Sequence, residues 1–200
     1  MATRISSENP SSVQISKTAL IKLKHHHAVT CKRGDVVTRD NRLRDCIVEV
    51  CRRAHIGVQV EVGNNLTPSH SKTRPADILI PNWVMGRTAA LDVSVTSPLN
   101  PQTLLEAGVT ATAAALTTEE RKHDENDPKC SELGWVFIPV VVESYGAWGR
   151  EATLLFSAIA SRIAILSKSV TLSDIYGRLN LQLVRANATS ILARLMPPSY

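Results

Sequence analysis

Apolar residues recur at helical spacing between Asp40 and His55, where Leu43, Ile47, Val50 and Ala54 define one stripe. Asp40 stands as the N-cap of this predicted helix and Gly57 as its stop. The period then changes to two. Val58, Val60 and Val62 alternate with Gln59 and Glu61, as in a half-buried strand, and Gly63-Asn64-Asn65 closes it with a turn. Two further short β-branched runs follow, Ile78-Leu79-Ile80 and Leu91 to Val95, linked by a hairpin-length loop over 81–87. Asn100-Pro101 marks a helix start, and the Ala-rich stretch behind it predicts a helix to about Asp124. Trp135 to Glu143 is apolar on both faces, as in a central buried strand, with Pro139 requiring a bulge or an unpaired position. Amphipathic helices are expected over 147–167 and 171–195, the latter carrying Leu179, Leu183 and Ile191.

The order helix, three strands, helix, strand, helix, with an extra C-terminal helix, predicts an α/β sandwich around a mixed sheet. Residues 1–17 are polar and aperiodic and read as a disordered tail; 18–39 form a basic, His-containing lead-in; 40–196 form the folded domain. The formal charge of +5 is concentrated early, since residues 1–44 hold nine Lys or Arg against three acids. That balance suits a polyanionic partner. The longest uninterrupted apolar run, Val136 to Val142, is far short of a bilayer span, and no secretory h-region is visible. The four cysteines show no disulfide-framework spacing and suggest a reducing compartment inside the cell.

Two acids stand out against this pattern. Asp77 and Asp92 interrupt β-branched runs, and strand interiors disfavour Asp. A carboxylate buried in a sheet must be paired, hydrogen-bonded or metal-bound. Two on neighbouring strands can cradle a hard divalent cation, which takes oxygen ligands. Alternatively each caps a strand end or pairs with an Arg such as Arg74 or Arg87. Alternation in 91–96 places Asp92, Ser94 and Thr96 on one polar face. Arg42, Arg44, Arg52 and Arg53 of the first helix are candidates for gripping a phosphate backbone, or are simply a solvated face.

The motifs Arg74-Pro75-Ala76-Asp77, Leu91-Asp92-Val93, Lys122 and Pro139…Glu143-Ser144-Tyr145-Gly146, in this order, resemble the restriction-endonuclease-like, or PD-(D/E)xK, nuclease fold. The resemblance is nearest to the C-terminal endonuclease of site-specific non-long-terminal-repeat retrotransposons, covers roughly residues 25–195, and rests on short motifs. It implies a restriction-endonuclease-like sandwich and Mg²⁺- or Mn²⁺-dependent hydrolysis of DNA. Asp77 and Asp92 would then hold the metal, Lys122 would complete the catalytic set, Glu61 and Ser94 would support it, and Arg74 would join the DNA-binding arginines. It also implies a reverse transcriptase domain on a longer parent chain. The alternative is a catalytically inactive DNA-binding or interaction module that keeps the fold.

This chain departs from the family pattern in two places. Ala76 separates Pro75 from Asp77, and Ser94 stands where a Lys usually follows the second acid. A straight helix from Pro101 would carry Lys122 past Asp92 by ~15–20 Å, so Lys122 reaches the acids only if that helix breaks, with Gly108 the weakest point. Otherwise Lys122 is a solvated member of a charged run. His25, His26, His27 and Cys31 are similar to the second half of a zinc knuckle, but no Cys precedes Cys31 and solvated histidines are expected.

Overall fold

The computed structural model describes residues 35–60, 76–166 and 171–195. Their elements are α1 (Asp35–Arg53), β1 (Gln59–Val60), β2 (Ile78–Val84), β3 (Arg87–Thr96), α2 (Leu104–Ala107), α3 (Ala113–Glu132), β4 (Val136–Glu143), α4 (Arg150–Leu166) and α5 (Leu172–Leu195). The sheet order is β1-β2-β3-β4, antiparallel through the first three strands and parallel between β3 and β4. The chain is therefore mixed α/β with a four-stranded mixed sheet. Glu61, Arg74, His25, His26, His27 and Cys31 lie outside the described residues. Among those described, no helix is long and apolar enough to cross a membrane.

The period-two pattern sorts the sheet into two unequal faces. Ile78, Ile80, Leu91, Val93, Val140 and Val142 point to the larger core, against Leu43 and Ile47 of α1, Phe156 and Ile159 of α4, and Leu179 and Leu183 of α5. Each such side chain, once buried, contributes about 1.5–3 kcal/mol. The opposite face carries Leu79, Ala90 and Phe137 under α3, with Cys130 and Trp135. This second cluster is small because the same face also carries polar side chains farther along β3.

Four expectations need correction. α1 begins at Asp35, so Asp40 is a residue of the second helical turn rather than a cap, and the last residues of the lead-in belong to the domain. The 81–87 loop is mostly strand: only Met85 and Gly86 separate β2 from β3, both at positive φ (49° and 76°), as a two-residue type I′ hairpin turn requires. A register shift between Ile80 and Val84, with Asn82 at φ 53°, absorbs the remaining irregularity. β4 is an edge strand and not a central one, which is where a proline such as Pro139 is tolerated without a bulge. It is buried on both faces all the same, by the large core on one side and α3 on the other, while the 147–149 segment pairs with its open edge: Glu143 N–H donates to Ala147 O (2.7 Å) and Gly149 N–H to Val141 O (2.9 Å).

The fourth correction decides the site. The chain from Pro101 is not one helix: α2 ends at Gly108, Thr112 takes a left-handed φ of 70°, and α3 starts afresh at Ala113. Its first residues, Ala113, Ala114 and Ala115, are small enough to let the helix lie close on the sheet, and all three are buried. Within α3, Thr118 Oγ1 meets Thr96 Oγ1 at 3.2 Å, which sets the helix over the polar face of β3.

A buried carboxylate ties α3 to the next helix. Glu119 accepts the N–H groups of Arg150 (3.2 Å) and Glu151 (3.1 Å) and so caps the start of α4. Gly149 leaves room for that carboxylate, since a Cβ there would fall within the van der Waals radius of Glu119 Oε1. Gly149→Ala is therefore expected to push the carboxylate off the cap and to lower stability by about 1–3 kcal/mol. A urea midpoint equal to the parent's would refute this account of the α3–α4 junction.

Candidate functional site

Strand pairing brings the two acids to one face. Asp77 stands one residue before β2, and its N–H donates to Leu91 O at 2.8 Å, so it extends the ladder beside β3. Ile78 and Leu91 belong to the large core, which leaves Asp77 and Asp92 on the side of Leu79 and Ala90. Asp77 Oδ2 accepts the Val93 N–H at 2.8 Å, a bond that fixes the side chain against β3.

Lys122 arrives from α3. Its Nζ lies 2.5 Å from Asp92 Oδ2, with the two side chains 12% and 25% exposed, so water screens the pair only in part. Thr118 against Thr96 and Lys122 against Asp92 run in opposite senses, which makes α3 antiparallel to β3. The helix reaches Asp92 at its tenth residue because it restarts at Ala113. The late start removes the overshoot that a straight helix from Pro101 would have produced.

Asp40 is the member of this cluster that sequence reading missed. Its carboxyl is pushed up to about 7, first by burial and then by the charge of Asp77, while Arg39 and Lys122 pull it down. Asp40 Oδ1 is buried without a hydrogen-bond partner among the described residues; Arg39 Nε stands 3.7 Å away, an ion-pair distance too long for a hydrogen bond. Arg39 in turn reaches Val95 O of β3 at 3.4 Å. A signal was available: Asp40 precedes Leu43 by three and Ile47 by seven positions, so it lies on the apolar stripe of α1. An acid on a buried stripe needs a partner.

Asp77 is also raised above the ordinary carboxylate range. Burial is the main cause and the Asp92 charge adds to it, while the Val93 N–H, Lys122 and Arg44 oppose it. Three carboxylates and the cations Lys122, Arg39 and Arg44 thus share a single electrostatic environment.

The remaining candidates divide. Ser94 lies on the Asp92 face of β3, and its Oγ is buried without a hydrogen-bond partner among the described residues. Arg42 is exposed and donates to Thr189 Oγ1 of α5 at 3.1 Å. Arg44 turns the other way, paired with Asp45 at 2.8 Å and close enough to Asp77 to lower its pKa. Arg53 pairs with Glu49 at 3.4 Å, and Arg52 is exposed. At about 100° per residue, Arg42 and Arg44 differ by about 200° around α1, so the four arginines do not form one gripping face. Arg87, offered as a partner for the acids, instead bonds Gly134 O and Trp135 O at 3.3 and 3.1 Å.

Among the described residues, no three His, Cys, Asp or Glu side chains converge as a ready-made metal cage. The donor set nevertheless fits a hard divalent cation in chemical type. Asp40 Oδ1 and Ser94 Oγ are buried oxygens lacking a partner, and Asp77 and Asp92 supply carboxylates beside them. No protein-family model, no curated protein and no solved structure matches this chain.

The carboxylates of the cluster repel one another, and neutralising one of them relieves that repulsion only where no cation depends on it. Asp92→Asn would strand the Lys122 ammonium, partly buried, and is expected to destabilise. Relief belongs to Asp40. Its folded pKa is raised, so folding takes up a proton between about pH 4 and 7, and the stability this carboxyl contributes is lost as pH rises through about 7. Asp40→Asn should therefore melt higher than the parent at pH 8, and the gap should close below pH 4. Melting curves that differ by the same amount at both pH values would show that Asp40 does not titrate as described.

Proposed function

We propose that this chain is a metal-dependent endonuclease of the restriction-endonuclease-like type, hydrolysing phosphodiester bonds in DNA, as the resemblance to the retrotransposon endonucleases implies. The observation that carries the reading is Lys122 on Asp92, with Asp77 on the adjoining strand and Asp40 coupled to both Asp77 and Lys122. A helical Lys replaces the Lys that the family places two residues after the second acid, a position Ser94 takes here.

Asp77 and Asp92 would hold Mg²⁺ or Mn²⁺, with Ser94 Oγ on the Asp92 face of β3 and Asp40 coupled to Asp77 through its charge. A bound divalent ion supplies Lewis-acid polarisation of the phosphate and lowers the pKa of water. The residues of the chain do the rest. Lys122 Nζ holds Asp92 in one rotamer before substrate arrives and offers a cation to the charge that builds on the phosphate oxygens. The Val93 N–H fixes Asp77 through Oδ2 and leaves its other oxygen to face the site. Asp40, half-protonated near pH 7, gives up its proton when positive charge enters, so metal affinity should climb with pH through that range. Arg42, exposed on the side of α1 that faces α5, is available for a phosphate contact outside the acid cluster.

A non-catalytic module is the second reading. Ser94 in place of the usual Lys and the absence of a three-ligand cage among the described residues favour it. The two readings separate in a plasmid-nicking assay with Mg²⁺ or Mn²⁺. The nuclease reading expects cleavage that falls at least about 100-fold in Lys122→Met and in Asp92→Asn, and that increases between pH 6 and 8. Cleavage unaffected by either substitution would remove these residues from the chemistry. A parent protein that binds DNA and never cuts it, with either metal, would establish the module.

A further inference from the structure

A second concavity lies away from the acids, where the turn after β4 meets α5. Its volume is about 460 Å³, and its wall includes Tyr145, Asn180, Leu183, Val184, Asn187 and Ile191. One side is apolar. The other is polar and unfinished: Ser144 Oγ and Asn187 Oδ1 are buried with no hydrogen-bond partner among the described residues. Ser144 is only 4% exposed, so its hydroxyl bears the full cost of lacking a partner. The surrounding amides are held in place. Asn187 Nδ2 donates to Ser144 O at 2.8 Å, and Asn180 Oδ1 accepts from Trp148 Nε1 at 2.9 Å, which orients that amide and leaves its Nδ2 as a donor. Tyr145 stands at the rim, 68% exposed.

We propose that this cavity takes an unstacked nucleobase of a single DNA strand whose backbone runs on to the Asp40–Asp77–Asp92 cluster. The proposal rests on the nuclease reading and extends it by naming where the strand is held. Three observations select a base over an apolar peptide side chain. A planar heterocycle carries both donors and acceptors at its edge, matching a hydroxyl, an amide oxygen and an amide N–H₂; an apolar side chain would leave all three unsatisfied. An exposed Tyr at the rim offers a ring for stacking. Arg42 of α1 donates to Thr189 of α5, one residue beyond the wall residue Ala188, and so offers a cation to a phosphate beside the cavity.

The spacing also suits a strand. Ser144 N–H donates to Thr96 O at 2.8 Å, and Thr96 lies four residues beyond Asp92 on β3. At about 3.3 Å per residue the cavity begins roughly 13 Å from Asp92 along β3, a span of a few nucleotides. Bases held there would place the cut a fixed distance from an unpaired stretch.

The test compares binding of the full chain, without divalent metal, to a single-stranded 12-nucleotide thymidine oligomer and to the same backbone made wholly of abasic residues. The base-bearing strand should bind about tenfold tighter. Ala188→Phe, at an exposed position on the cavity wall, and Tyr145→Ala, at the exposed rim, should bring the two affinities together while unfolding midpoints stay near the parent's. Equal affinities in the parent, or a preference that survives both substitutions, would overturn the proposal. Cleavage activity, measured separately, distinguishes the two levels. Cleavage without base preference removes the cavity and leaves the nuclease; base preference without cleavage keeps the cavity and removes the nuclease. A parent that binds neither strand overturns the cavity as a DNA site.

Discussion

The contact of Lys122 with Asp92 is the constraint around which the smaller half of the structure is arranged. A strand that carries Asp, Ser and Thr on one face cannot bury that face against an ordinary apolar helix. α3 meets it with Thr118 and Lys122, and it can do so only because the chain breaks at 108–112 and restarts as a helix at Ala113. The buried alanines at the start of α3 bring the backbone close enough for these side chains to reach, while Phe137 and Cys130 supply what apolar packing the face retains. Fold stability comes mainly from the other face, through Leu43, Phe156, Leu179 and their neighbours. Stability and candidate chemistry are thus placed on opposite sides of one sheet.

Much of the fold was legible from periodicity. The stripe Leu43, Ile47, Val50 and the alternation Leu91, Val93, Val95 gave element type and facing correctly, because both are dominated by burial against one large core. What escaped reading was local chain geometry. A hairpin turn of Met85-Gly86 hides inside seven residues of loop-like composition, since a bulge near Asn82 spoils the alternation that would have revealed the strand. Pro139 was legible as an irregularity but not as an edge marker, because edge position depends on the strand order rather than on β4's own sequence.

The site was legible in part for a different reason. Asp77 and Asp92 stand out because the surrounding residues are strongly β-forming, so an acid there breaks a pattern. Asp40 stands in a helix rich in charge, where an acid breaks nothing unless its phase is checked against the apolar stripe. The arginines show the converse. Four of them in twelve residues of α1 read as one basic surface, yet helical geometry turns Arg44 toward Asp45 and Asp77 while Arg42 faces α5. Count and spacing in sequence describe a helix face only after its rotation is applied.

The electrostatics of the cluster bear on how such a site stays folded. Three carboxylates repel one another in surroundings that burial makes poor at screening, even with Lys122, Arg39 and Arg44 near them. The protein relieves this by keeping a proton on Asp40 for much of the time near neutral pH, and by giving Asp77 the Val93 N–H and Asp92 the Lys122 ammonium. Each acid thus has its own partner, Lys122 for Asp92, the Val93 N–H for Asp77 and Arg39 beside Asp40, and that division is what lets three carboxylates from separate elements share one end of the sheet.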